Sequence, residues 1–435
     1  MGGSEEARDR TRLPHSAIAL NPGDRGTVKS TGNLVGASAR STAGPKPQGL
    51  PRPATRPVRF ARVPLRLVDA AEVSHRSEIL LPSCSLQLAP EHCELIARTQ
   101  ASRRDRDDLL GVPPGRSFDA ISDVYVHDAT RAHWLSDVRL VGEHGVGYVR
   151  YGPFRRLPII QTFPTFRAAA QHVSARLGDD LGGSWQYRRG LHLSLLNVAA
   201  QNNLYHWLVE TLPRLVGLLA VSSEEPVKVI VPATQPLFYE WVLRRLVQYD
   251  RRIEIVTIGP DDRWIVEQLL VVDLALRGKT GFVHPHSARL LNNMLGGDSE
   301  TARLRPRNRR IYISRSLAAR RRVTNEEAMM SVLCAKGFEV VHAERLSYQE
   351  QFDLFRAASH VVGPHGAGIA NILFAPPGEV MVLQGQRSQV DYLILALSRG
   401  LGYWHHEGKN ENRLEDFRID PERFGDALDA FVTSA

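Results

Sequence analysis

His360-Val361-Val362-Gly363-Pro364-His365-Gly366-Ala367-Gly368-Ile369-Ala370-Asn371 is the stretch on which the fold turns. His360–Val362 reads as a short buried strand, and Gly363–Gly368 as a loop that carries it into a helix starting near Gly366. Pro376-Pro377 stops that helix. Glycines at 363, 366 and 368 are expected to let the backbone approach a ligand and take positive φ. The N–H groups of the helix start then favour a diphosphate, with His365 as a donor in the middle of the loop. The bland alternative is a tight strand–helix turn around a buried histidine. The loop is not GxGxxG, because Asn371 stands at the third glycine position. Gly278-Lys279-Thr280 mimics the end of a P-loop, but Asp273 occupies its first glycine position.

Outward from this loop the chain alternates strand and helix. Arg310–Ser314, Phe338–Val341, Val380–Leu383 and Gly402–His405 read as strands. Thr324 with Glu327 and Ser347 with Glu350 form two capping boxes for the helices between them, and 389–399 is a further helix. Upstream, Leu191–Val198, Val227–Val231, Ile253–Ile258 and Trp264–Val272 read as strands, and Asn202–Leu219, 235–248 and His284–Leu295 as helices. The expected class is α/β: two Rossmann-like domains facing across a cleft, preceded by a β-rich segment. Asp123–His127, Val138–Val141 and Gly147–Tyr151 are that segment's strands. The expected division is a basic tail at 1–60, an acceptor-side domain at 61–300 and a nucleotide-binding domain at 301–435.

Composition narrows the class of function. With 43% hydrophobic and 23% charged residues, the chain is that of a globular protein. It has no run of about 18 uncharged apolar residues and no apolar segment behind its N-terminal charges, so neither a membrane span nor a secretory signal is expected. Three cysteines (Cys84, Cys93, Cys334) with no CxxC argue against a disulfide framework or structural zinc. Residues 1–60 hold ten Lys/Arg against four Asp/Glu, so six of the eight net positive charges sit in a Gly/Pro/Ser/Arg-rich segment expected to be disordered. The charge is therefore no signal for nucleic acid; a weak contact with an anionic membrane surface is the most that it suggests. A second basic run is all arginine: Arg303, Arg305, Arg307, Arg309, Arg310, Arg315, Arg320, Arg321 and Arg322, with no acid between them. Arginine suits bidentate phosphate recognition, against a solvated surface as the alternative.

Two further patterns carry chemistry. His206, Glu210 and Arg214 recur at i, i+4 and i+8, so on a helix they form one polar stripe beside Leu204, Leu208, Leu212 and Leu215. A histidine oriented by a carboxylate one turn on is a candidate base; a solvent-facing stripe is the alternative. Pro213 predicts a kink there. Ser314 and Arg315 end a strand that, in a parallel sheet, points at the same crevice as the loop after Val362.

Four ordered segments resemble glycosyltransferase family 61, which includes plant xylan side-chain transferases and animal O-GlcNAc transferases. They are Asn203-Leu204-Tyr205-His206-Trp207 with Glu210-Thr211-Leu212-Pro213-Arg214; Tyr312-Ile313-Ser314-Arg315; Arg322-Val323-Thr324-Asn325-Glu326 with Glu344-Arg345-Leu346-Ser347 and Glu350-Gln351; and Gly363–Asn371 with Pro377-Gly378. The resemblance spans about 190–385. It implies a GT-B fold, a nucleotide-sugar donor (usually UDP-linked), a saccharide acceptor, inversion at the anomeric carbon, and no essential metal or other cofactor. In that layout Glu210 or His206 is the base, and Ser314, Arg315, His365, Gly366, Ala367, Gly368 and Asn371 hold the donor. Gln384 departs from the pattern: many members have an acid shortly after Pro-Gly. A cytoplasmic enzyme of surface-polysaccharide synthesis is the expected setting. A non-catalytic sugar-nucleotide or polysaccharide binder and a nucleotide-sugar epimerase are the competing readings.

Overall fold

The structure is a computed structural model that describes residues 70, 74–98, 124–127, 129–151, 155–160, 184–222, 224–272, 281–296, 307–386 and 389–434. The basic tail expected at 1–60 lies outside them. Its strands, in chain order, are β1 (Arg76–Leu81), β2 (Cys84–Gln87), β3 (Val124–His127), β4 (Thr130–Val141), β5 (Val146–Tyr151), β6 (Arg155–Ile160), β7 (Gln186–Ser194), β8 (Val227–Pro232), β9 (Ile253–Ile258) and β10 (Arg263–Val272). They continue with β11 (Arg309–Ile313), β12 (Phe338–Val341), β13 (Ala358–Pro364), β14 (Glu379–Gln384) and β15 (Gly402–Glu407).

Two sheets carry the fold, and both contain parallel strands flanked by helices. The first runs β6-β5-β4-β10-β7-β8-β9, with β1 also paired to β4. β10, β7, β8 and β9 are mutually parallel, whereas β4 joins β10 antiparallel and brings β1 and β5 with it. The β-rich segment is therefore not a separate layer ahead of the α/β strands. β4 is twelve residues long, and its register, Arg263↔Val141 to Val272↔Ala132, extends the same sheet. β7 also begins five residues earlier than Leu191, since its first half is polar and exposed and carries no apolar signal.

The second sheet is wholly parallel, in the order β12-β11-β13-β14-β15. Its central strands are nearly continuous apolar runs because helices cover both faces. The chain leaves β11 towards β12 on one side, then returns to β13 on the other. The order reverses at the β11/β13 boundary, where parallel α/β sheets open a crevice beyond the strand ends. Ser314-Arg315 follow one of these strands, and Gly363–Gly368 close the other.

One apolar cluster runs through both sheets, from Leu193, Trp207 and Val229 to Ile313, Val361 and Val382. Trp241 joins the halves from helix Leu237–Tyr249. Its ring lies 5.2 Å from Phe352 and 5.5 Å from Tyr348, and its Nε1 donates to Gln349 Oε1 at 3.2 Å. No described helix is long and apolar enough to cross a membrane.

Helix starts divide the two capping boxes. Ser347 Oγ accepts from Glu350 N, and Glu350 returns the bond to Ser347 N, so the box at Tyr348–Ala357 is complete. The box at Thr324 does not form. Thr324 N and Oγ1 both donate to Phe417 O, and helix Glu326–Ala335 starts without a side-chain cap.

Candidate active site

The glycine-rich loop keeps its strand register to the end: Pro364 pairs with Leu383, and His365 N donates to Leu383 O at 2.9 Å. None of Gly363, Gly366 and Gly368 takes the positive φ expected of it. Gly366 is fully extended (φ 169°, ψ 169°), a conformation open to any residue. What requires glycine is space. A Cβ at 366 would fall on the Arg315 guanidinium, and one at 363 would lie 3.0 Å from Ile369 Cγ2. Gly368 likewise packs on Ile313. The following helix, Ala367–Phe374, is a 3-10 helix that ends before Pro376.

Arg315 thus lies directly against the loop, as the strand-end argument requires. Its Nη2 donates to Arg320 O at 3.1 Å, and burial lowers its pKa from the ordinary arginine value. Ser314 faces inward. Its Oγ donates to Glu326 Oε2 at 2.9 Å while Tyr312 Oη donates to Oε1 at 2.7 Å, so Ser314 anchors the strand end to the next helix. Asn371 is also turned inward: it is fully buried, accepts from Tyr348 Oη at 3.1 Å and donates to Gln351 at 3.2 Å. These amide contacts brace the helix beneath the loop.

Beside the loop is a small cleft lined by Arg321, His365, Gln384, Gly385, Gln389, Asn410, Glu415 and Phe417. Gln384 closes one wall by a two-way bond with Gln389: its Oε1 accepts from Gln389 N at 2.7 Å, and its Nε2 donates to Gln389 O at 2.8 Å. Arg321 and Glu415 face each other with Nε 3.2 Å from Oε2. Sequence reading named Arg321 as one member of the arginine run but did not single it out. Glu415 and Asn410 gave no signal, because nothing local ties them to the loop.

The other half of the site is the segment after Asn203. It does not continue as one α-helix. His206–Thr211 is a π-helical turn, and Leu212–Ala220 a 3-10 helix with Pro213 at its start, so the backbone changes winding where proline predicts a kink. π-turns within helices are frequent at functional sites. Thr211 Oγ1 donates to His206 O at 3.0 Å, and Asn197 Nδ2 donates to Thr211 Oγ1 at 3.0 Å, holding the wide turn. The polar stripe is not solvent-facing. His206 Nδ1 lies 2.9 Å from Glu210 Oε2, the Glu210 side chain is wholly buried, and the His206 side chain is 15% exposed. Arg214, also buried, donates from Nη1 to Leu196 O at 2.8 Å. Burial lowers its pKa to about 10, against the pull of Glu210 that favours its charge. The buried Glu210 carboxylate thus lies against the His206 imidazole and near enough to Arg214 to favour the charge of that guanidinium.

Aromatic rings connect the two halves. His365 meets Tyr392 edge-on at 4.9 Å, Tyr392 meets Tyr205 at 5.4 Å, and Tyr205 meets His206 at 5.4 Å. Tyr392, on helix Asp391–Ser398, also donates its hydroxyl to Gly366 O at 2.6 Å. Of the sequence candidates, the fold therefore brings His206 and Glu210 towards Arg315, His365, Gly366, Ala367 and Gly368. Ser314 and Asn371 support that group from behind.

Residues 204–382 match the family model described as Glycosyltransferase 61. A comparison with curated proteins gives no match. The matched span opens at the π-turn and ends inside β14, so it takes in His206, Glu210, Arg315, Arg321 and His365 but neither Asn410 nor Glu415. Through residues 204–382, the chain belongs to glycosyltransferase family 61.

Proposed function

We propose that the protein transfers a sugar from a nucleotide-sugar donor, UDP-linked as in most of the family, to a saccharide hydroxyl with inversion at the anomeric carbon. The observation that carries this reading is the meeting of a buried His206–Glu210 pair with the Arg315/His365 loop through Tyr205 and Tyr392. In this reading the two sheets are the two halves of a GT-B enzyme, with the acceptor side at 61–300 and the donor side at 301–435.

The residues then divide the work. The Glu210 carboxylate, 2.9 Å from His206 Nδ1, favours the tautomer that carries its proton there and its basic lone pair on Nε2. Since Glu210 is enclosed and His206 is not, His206 is the group that meets the acceptor, and Glu210 orients it. As the acceptor oxygen bonds to the anomeric carbon, its proton passes to His206 and the bond from that carbon to the diphosphate oxygen breaks. Arg315, His365 and the start of helix Ala367–Phe374 take up the charge that develops on the leaving diphosphate. In this reading these groups carry that charge without requiring a metal. The DxD-type triplet Asp105-Arg106-Asp107 lies outside the described residues. The setting we favour is cytoplasmic synthesis of a surface polysaccharide.

A panel of nucleotide sugars incubated with the protein and saccharide acceptors tests this. Release of free nucleotide matched by glycosylated acceptor is the expected result. Interconversion of the donor sugars without release would make the protein an epimerase. Tight binding with neither reaction would make it a binding protein.

A further inference from the structure

The arginines beside the loop are unequally neutralised. Arg322 is fully matched: its N donates to Asp416 Oδ1 at 2.9 Å, and its Nε and Nη2 donate to Oδ2 at 3.1 and 2.7 Å. Arg315 has a backbone carbonyl for its Nη2, and its Nε is a buried donor with no hydrogen-bond partner among the described residues. Arg321 has Glu415, but the pair is poorly made. Their atoms are 3.2 Å apart, yet Arg321 Nε is out of line for a hydrogen bond and counts among the buried donors that lack one. Burial disfavours the charged form of Arg321, and the nearby Arg320 and Arg315 add to this against the opposing pull of Glu415.

The backbone adds a second, independent sign. Arg321 (φ 58°) and Glu415 (φ 63°) both adopt the left-handed conformation, which non-glycine residues take at a cost. They face each other across a backbone bond from Arg321 N to Leu414 O at 3.1 Å. Two strained residues thus aim opposite charges into the cleft that His365 lines. The turn that carries Glu415 is fastened on its far side by the Arg322–Asp416 pair.

We infer that Glu415 is a resident counter-ion in an anion slot formed by Arg315 and Arg321, and that the diphosphate of the donor replaces it on binding. A tetrahedral phosphate offers more acceptor oxygens than a carboxylate, so it serves both unfilled Nε donors, and its larger charge relieves the repulsion among the guanidiniums. The inference rests on the nucleotide-sugar reading for the identity of the anion. Glu415 lies beyond the span matched by the family, so this device belongs to the C-terminal part of this chain.

The test is calorimetric titration of the full chain with inorganic pyrophosphate and, separately, with UDP. Glu415→Gln should tighten both by about threefold to tenfold, the scale on which a partly exposed ion pair competes. Arg321→Gln should weaken both, and in that background Glu415→Gln should bring no gain. Glu415→Asn, whose side chain tolerates the left-handed backbone, serves as the second variant should the glutamine change perturb folding. If the wild type binds both ligands and the two Glu415 variants bind them no more tightly, the counter-ion role is overturned while the donor site stands. A folded wild type that binds neither pyrophosphate nor UDP overturns the donor-site reading and this inference together.

Discussion

Asp416 is a densely hydrogen-bonded charge in the second sheet's half. It is fully buried and accepts from Arg322 three times and from Asn412. Burial by itself would raise its pKa, but the bonds from Arg322 and Asn412 prevail and hold it at about 2. A carboxylate with a depressed folded pKa contributes stability that is full above its unfolded value and lost as pH falls through the folded one. The Asp416→Asn variant should therefore melt below the wild type at neutral pH, and the difference should close between about pH 4 and about pH 2. A difference that is flat over that window would show that the pair does no electrostatic work. Residues of this kind were half legible in sequence. Arg322 stood out as part of an arginine run, but its partner lies 94 residues on and no local pattern links them. The same separation hid Arg321 and Glu415. His206 and Glu210 were legible because one turn of helix joins them.

At the scale of elements, apolar strands and their alternation with helices could be read directly, since fully buried parallel strands are continuous apolar runs. Less legible were the departures from regular winding. A 3.6-residue period assigns Asn202–Leu219 to one α-helix, whereas Thr211 and Asn197 hold a π-turn that only the tertiary contacts reveal. Thr324 shows the same limit, because its hydroxyl had a tertiary partner in Phe417 that competes with the cap. The loop itself depends on a neighbour: Tyr392 hydrogen-bonds Gly366 O and separates His365 from Tyr205. Tyr392→Phe keeps the ring contacts and removes that bond. It should cost about 0.5–1.5 kcal/mol in urea unfolding and weaken nucleotide binding, with a smaller effect on kcat. Unchanged nucleotide affinity would show that the loop holds its form without Tyr392.

Across the whole molecule, the two sheets share one apolar core, and the candidate groups of each meet through the Tyr205–Tyr392 contact. Sequence supplied both walls as separate motifs. That they meet, and through which side chains, is a property of how helix Asp391–Ser398 packs against the π-turn, and pattern alone could not give it. The arrangement implies a division of labour that steady-state kinetics can separate. With the donor in hand, the most direct measurement is turnover and nucleotide affinity of Glu210→Gln beside the wild type. Loss of an oriented base should lower kcat by about 10²–10⁴ and leave nucleotide affinity nearly unchanged. A Glu210→Gln variant that turns over normally but no longer binds nucleotide would contradict the assignment of chemistry to the His206–Glu210 wall.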